Sequence, residues 1–398
     1  MENNKLGGLI LTTRSYIPIS KDERKNENKI KNILILNLKI IFFLLIIFSF
    51  LLYFIIIKPI KKKLFSENQS FLSNKSFNKN IIDDIFLNSL KSFLKEDEIL
   101  ENEIMSRHTT FKLGGSAKIF VKPKTINQII EIIKLCNKYN VNYFILGNGS
   151  NLLVSDNGYY GVIIQIHEYN FSNLKVKKED DNNYILTVEG GMLMKTLSIE
   201  SCLLSLTGLE DIIDIPGTVG GGIIMNASFR GAGLSKCLKK VKVITSEGKI
   251  LELTKEECKL SRRGSMLKEQ KYLVIEAVFK LKKGDQMKIQ KKMTNNTKMR
   301  YEKQPMYFGS AGCFFVWDHS KFGSMYEKYK ESNLVSYRIG NIMIYTYNIA
   351  FIVNLGNGKA SHVIKIVEYI EKIMKEKYNI EIRREVILIG TFNNIEYY

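Results

Sequence analysis

The chain has 398 residues and a mass of 45.9 kDa, room for two or three ordinary domains. Hydrophobic residues at 45%, charged residues at 25% and only 5 Pro with 27 Gly exclude wholesale disorder and collagen-like or Pro-rich material. The net charge of +19 invites a polyanionic partner, but residues 1–80 alone carry 14 Lys/Arg against 5 Asp/Glu. What remains is spread through an Asn-, Ile- and Lys-rich chain, so an anionic small molecule is expected and no nucleic acid. Five Cys without a C-x-x-C pair, and the single histidines His108, His167, His319 and His362, exclude a disulfide framework and any familiar metal spacing.

Residues 1–80 read as a leader. Its hydrophobic segment, 33–57, contains 18 uncharged residues from Ile40 to Ile57, the lower limit for a membrane-spanning helix. Lys21, Arg24, Lys25, Lys29 and Lys31 precede the segment, and Lys58, Lys61, Lys62 and Lys63 follow it. Residues 66–80 are rich in Ser, Asn and Lys with one acid, as transit peptides are. The expectation is membrane attachment through 33–57, or a bipartite leader of the kind that directs proteins to a plastid-type organelle.

From about Ile81 the composition becomes globular. Thr125 and Gln128 form a capping-box pattern before a helix whose apolar face is Ile126, Ile129, Ile130 and Ile133. Strands are predicted at Val141–Leu146, Gly158–Ile166, Tyr184–Val188, Lys240–Thr245 and Tyr272–Leu281. Lys288–Lys303 reads as a polar helical linker, Ser361–Lys377 as a helix and Glu385–Ile389 as a strand. Strands and helices alternate without one long parallel pattern, so the predicted class is α+β.

Two glycine-rich stretches carry the chemical signal. Gly147-Asn148-Gly149-Ser150-Asn151 leaves a strand, and main-chain amides there can curl around phosphate with Ser and Asn side chains as further donors. No helix pattern follows, which excludes a dinucleotide βαβ fingerprint, and no Gly-Lys-Ser/Thr ending makes it a Walker loop. By itself the stretch would serve equally as a plain tight turn. The second runs Ile215-Pro216-Gly217-Thr218-Val219-Gly220-Gly221-Gly222 to Asn226. Its flanks are apolar, which a solvated loop does not need, so a ligand cradle that can approach a flat ring is the preferred reading.

Together with Thr109–Gly115, Arg300-x-x-x-Gln304-Pro305, Ser310-Ala311-Gly312, Tyr337-Arg338-x-Gly340, Phe351–Asn354 and Glu385-Val386, these stretches resemble the UDP-N-acetylenolpyruvoylglucosamine reductase family over about residues 100–390. The resemblance implies a two-lobed FAD-binding domain of the PCMH/VAO type over 81–287 and a substrate-binding α+β cap over 288–398. It implies FAD bound non-covalently, NADPH as reductant and a UDP-sugar as substrate. Gly147, Asn148, Gly149, Ser150 and Asn151 would hold the FAD pyrophosphate. Gly217, Thr218, Val219, Gly220, Gly221 and Asn226 would line its ring. The short link from Gln304-Pro305 to Ser310 resembles the family's shorter class, which lacks a tyrosine-bearing lid.

The same resemblance places the family's catalytic arginine on Arg263, its carboxyl group on Glu385 and its proton-donating serine on Cys313. A thiol is more acidic than a hydroxyl and mostly protonated at neutral pH, so the role is chemically preserved. The chain departs from the family at Arg262, where a tyrosine is usual, at Tyr347-Asn348 in place of Lys-His, at Val316 in place of Lys and at Ser228 in place of Gly. Substrate-side positions have thus changed more than cofactor-side ones. A reductase of the family substrate is the first expectation. A flavoenzyme with another substrate, or a weakened membrane-tethered flavin-binding protein, are the alternatives.

Overall fold

A computed structural model describes residues 82–398. The leader and its hydrophobic segment 33–57 lie outside the described residues. Among the described residues, no helix is long and apolar enough to cross a membrane.

The first lobe is a four-stranded sheet in the order Ile99–Ile104, Ser116–Val121, Tyr159–Gln165, Tyr143–Leu146. The first pairing is antiparallel and the other two are parallel. The helix Ile126–Tyr139 packs on it, opened by the expected capping box: the Thr125 hydroxyl accepts from the Gln128 amide, and the Gln128 side chain accepts from the Thr125 amide. The buried stripe is Ile129, Ile132, Ile133 and Cys136. Ile126 and Ile130, expected on that face, sit at its edge because the sheet meets the helix about one residue further round.

The second lobe is an antiparallel sheet in the order Ile250–Thr254, Leu238–Ile244, Leu273–Lys283, Asn183–Glu189, Leu174–Lys178, with Leu206–Thr207 also paired to the central strand. That central strand buries Ile275, Ala277, Phe279 and Leu281 while Glu276, Val278 and Lys280 stay half-exposed, the period of two a one-sided sheet requires. Val219–Ile224 forms a short helix rather than an open loop, capped by the Thr218 hydroxyl on the Gly221 amide. It lies directly on strand backbone. A Cβ on Gly220 would stand 3.0 Å from the carbonyl oxygens of Gly190 and Val274.

Gln286–Lys303 is one continuous 18-residue helix and more than a linker. Its inward stripe is Ile289, Met293, Asn296 and Arg300, and two of those four are polar, which disguised the stripe in the sequence. The Asn296 amide donates to the Glu210 carbonyl and to Asp211, and Lys292 pairs with Asp211 at 2.9 Å.

A third sheet follows, Gly309–Cys313, Phe351–Asn354, Ile342–Ile344, Arg338–Ile339, covered by the helix Ala360–Tyr378 through Val363, Ile366, Val367, Ile370 and Met374. The chain then returns. Ile387–Ile389 pairs in parallel with Leu152–Val154 of the first lobe. The strand expected at Glu385–Ile389 therefore runs Ile387–Phe392, with Glu385 in the joint before it, and the last strand, Ile395–Tyr397, pairs back on it.

Two further ties lock the third sheet to the first lobe. The Thr110 hydroxyl donates to the Ser310 carbonyl at 2.8 Å, and the Ser310 amide donates back to the Thr110 carbonyl. The helix Ala360–Tyr378 has no side-chain cap of its own; Asp156 supplies one from the first lobe, accepting from the amides of Ala360 and Ser361 at 2.7 and 2.9 Å. Asp156→Ala should therefore lower unfolding stability by about 1–2 kcal/mol, read as a lower urea midpoint. An unchanged midpoint would mean that the cap carries no energy.

Candidate functional site

The parallel strands of the first lobe end side by side, so the loop after Tyr143–Leu146 must turn sharply above them. Gly149 makes the turn with φ +62, and a Cβ there would fall 2.0 Å from the His108 carbonyl oxygen. No amide from Gly147 to Asn151 donates to another described residue. Side chains fix the loop instead. The Asn148 side-chain oxygen is 3.2 Å from His167 Nε2, Asn151 donates to the Glu385 carbonyl at 3.1 Å, and Ser150 donates to the Pro216 carbonyl at 3.0 Å.

That last bond joins the two glycine-rich stretches. A Cβ on Gly147 would sit 2.7 Å from Thr218 Oγ1, so bends from separate lobes meet without room for a methyl group between them. Around them opens a cavity of about 730 Å³. Gly147, Asn148, Gly149, Ser150 and Asn151 line it, as do Gly217, Thr218 and Gly221 of the second stretch. Val219, Gly220 and Asn226 do not. The Val219 and Gly220 amides are consumed by the Met192 and Gly190 carbonyls, and the Asn226 side chain donates to the Ser261 carbonyl. These three residues shape the wall from behind.

The far wall brings Arg263, Cys313 and Glu385 together from three distant stretches of chain. Arg263 Nε is 3.0 Å from Glu385 Oε1, and a second guanidinium nitrogen donates to the Ser228 carbonyl at 3.2 Å. Burial pushes the Glu385 carboxyl above its ordinary range, while Arg263, Arg383, Arg262 and Lys268 pull it back. Burial pushes the Cys313 thiol up to about 11, reinforced by Glu385 and opposed by Arg263 and Arg300. A thiol in that state is a proton carrier and a poor nucleophile.

Arg262 does not line the cavity and donates to the Trp317 carbonyl, whereas Asn348 lines the cavity and donates to the Lys303 carbonyl. Arg300, read from the sequence only as part of a motif, also lines it while nearly fully buried. The 4-3-4 spacing from Ile289 to Arg300 was the signal that could have singled it out among so many cations.

Residues 117–254 match the family described as FAD binding domain. Residues 304–389 match the C-terminal domain of UDP-N-acetylenolpyruvoylglucosamine reductase. The reductase of that name from Lachnoclostridium phytofermentans is 35% identical over 309 residues, 78% of this chain and 98% of that protein. The one from Clostridium novyi is 36% identical over 301 residues, 76% and 95% of the two chains. The chain belongs to the UDP-N-acetylenolpyruvoylglucosamine reductase family. The crystal structure of the reductase (MurB) from Thermus caldophilus, 27% identical, superimposes with a TM-score of 0.60 over 73% of this chain and 98% of that one. The α+β family fold, an FAD-binding domain followed by the family's C-terminal domain, is thus the fold of this chain.

An FAD fits the residues present: a run of unclaimed amides beside the closely approaching backbone of Gly217 and Gly221 suits a pyrophosphate and an adjoining flat ring. Gly149→Ala should accordingly yield protein with native-like circular dichroism but little bound flavin. Full flavin content in that variant would refute the loop's role.

Proposed function

We propose that this chain is an NADPH-dependent FAD enzyme that reduces UDP-N-acetylglucosamine enolpyruvate to UDP-N-acetylmuramate. The carrying observation is the convergence of the two glycine-rich bends and of Arg263, Cys313 and Glu385 on one cavity. The cofactor-binding part is assigned to residues 81–287 and the substrate cap to 288–398, the boundary falling in the first turn of the helix Gln286–Lys303. The strand Ile387–Phe392 rejoins the first lobe's side and so holds Glu385 between the two. The short link from Gln304 to Ser310 supports the family's shorter class.

Gly147–Asn151 would hold the FAD pyrophosphate, with Gly217, Thr218 and Gly221 lining the space for its ring. An FAD held there would supply, once reduced by NADPH, a hydride for the substrate's vinyl carbon. Negative charge then develops on the neighbouring carbon and spreads into its carboxylate, where fixed donors lower the barrier most. Glu385 and the Ser228 carbonyl hold the Arg263 guanidinium in place, so no side-chain reorganisation is needed as that charge appears. Cys313, kept protonated by its burial, gives its proton to the same carbon and completes the reduction.

The purified protein should show flavin absorbance, and the enolpyruvyl sugar nucleotide should stimulate its NADPH oxidation. Colourless folded protein that takes up no flavin would sink the proposal. Cys313→Ala should lower turnover at least about 100-fold while leaving flavin reduction by NADPH intact, and Cys313→Ser should restore much of the rate. Iodoacetamide should inactivate the wild type only slowly at pH 8, where a thiol with a pKa of about 11 is ionised in roughly one molecule per thousand. Rapid alkylation would show a thiolate and remove the donor assignment.

We also propose that segment 33–57 attaches the chain to a membrane or directs it to a plastid-type organelle. The basic flanks and the uncharged run support this reading. A diffuse cytosolic signal from the tagged full-length chain would overturn it.

A further inference from the structure

Six cations line the cavity: Lys112 is exposed, Lys268 is half-buried, and three others are already engaged. Arg263 is held by Glu385 at 3.0 Å, Arg230 rests on the Met299 sulfur at 3.1 Å, and Lys271 lies over the Tyr398 ring at 5.1 Å. Arg300 stands apart. It is only 5% exposed, its Nε is buried without a hydrogen-bond partner, and no carboxylate among the described residues comes within ion-pair distance. Its guanidinium carbon lies 5.0 Å from the centre of the Phe229 ring. Asp214, whose charge reaches it, is already paired with Lys195 at 3.1 Å and bonded to the Thr297 hydroxyl.

A buried cation without a counter-charge is costly, and burial indeed pulls the Arg300 guanidinium below its ordinary range. Two features make it tolerable. It occupies the last turn of the helix Gln286–Lys303, where the carbonyl end of the helix favours positive charge, and it has an aromatic face beside it. Neither feature supplies the missing anion. The site is built for a negative group that arrives with a ligand.

The geometry points to Arg300 as the residue that receives the carboxylate of the substrate, and the charge that spreads into it during reduction. This rests on the reduction proposed above. Arg263 cannot take that group alone, because Glu385 and the Ser228 carbonyl already occupy part of its fork. The carbon that Cys313 protonates is bonded directly to the carboxylate carbon, so the carboxylate must lie within two bonds of the atom the thiol reaches. Arg300 lines the same cavity as Cys313, and its charge acts on that thiol. Arg263 with Glu385 and Arg300 thereby flank the developing anion from two different elements.

The test uses the flavin-loaded protein, following flavin absorbance during titration with two compounds. One is the enolpyruvyl sugar nucleotide; the other is the same sugar nucleotide without the enolpyruvyl group. Arg300→Gln should weaken the first roughly 10- to 100-fold, as losing a charge-assisted bond does, and leave the second, the flavin content and the flavin midpoint potential unchanged. Arg300→Lys should recover part of the loss. Arg300→Met should raise the melting temperature of the substrate-free protein, because it removes an unpaired buried charge. Equal losses for both compounds would place Arg300 on the diphosphate and overturn the assignment. A shifted midpoint potential with unchanged affinities would place it on the flavin and overturn the assignment equally. A lowered melting temperature with unchanged affinities would make it structural. A wild type that ignores the enolpyruvyl compound would sink the reduction itself, before any variant is made, and the carboxylate assignment with it.

Discussion

The molecule turns on a steric condition: two bends of main chain from different lobes must touch without side chains between them. Ser150 bonds the Pro216 carbonyl, and Gly147 leaves no Cβ to collide with Thr218. The hydrogen bond contributes only about 1 kcal/mol. The close approach matters more, because it sets main-chain amides of the first loop beside the backbone wall of the second. A methyl group at that contact would separate the lobes by more than any hydrogen bond could recover.

Around that contact the chain is woven so that no lobe can drift. Asp156 of the first lobe caps the helix that covers the third sheet, and Thr110 and Ser310 exchange bonds across the same boundary. The returning strand Ile387–Phe392 adds a parallel pairing to Leu152–Val154 and fixes Glu385 at the joint. Asn151 grips the Glu385 backbone while Arg263 of the second lobe grips its side chain. One residue thus reports on all three regions at once. Side-chain geometry of this kind is inherited from packing rather than from any local motif.

Electrostatics in the cavity follow from burial more than from net charge. The chain carries +19, yet the groups that matter are two arginines, one carboxyl group and a thiol set against a largely apolar interior. Burial raises Glu385 and Cys313 and lowers Arg300, each toward its neutral form. A thiol held neutral and an arginine held without a partner make a pocket poised to accept negative charge and to return a proton. Dehydrated surroundings keep the Cys313 thiol protonated.

Composition and pattern alone were enough for the α+β class, the capping box at Thr125, the alternating strand at Tyr272–Leu281 and the two glycine-rich bends. Each is a local property, written in residues a few positions apart, where side-chain period and backbone sterics dominate. The ordered motifs also placed Arg263, Cys313 and Glu385 in one family. Only the folded chain decided that Val219 and Gly220 spend their amides on the turn after the strand Asn183–Glu189, that Arg262 turns away to Trp317, and that Arg300 is interred without a counter-ion. Those outcomes depend on which carbonyls and carboxylates arrive from tens or hundreds of residues away. Hydrogen-bond partners and dielectric surroundings are properties of proximity in space, and no spacing along the chain encodes them.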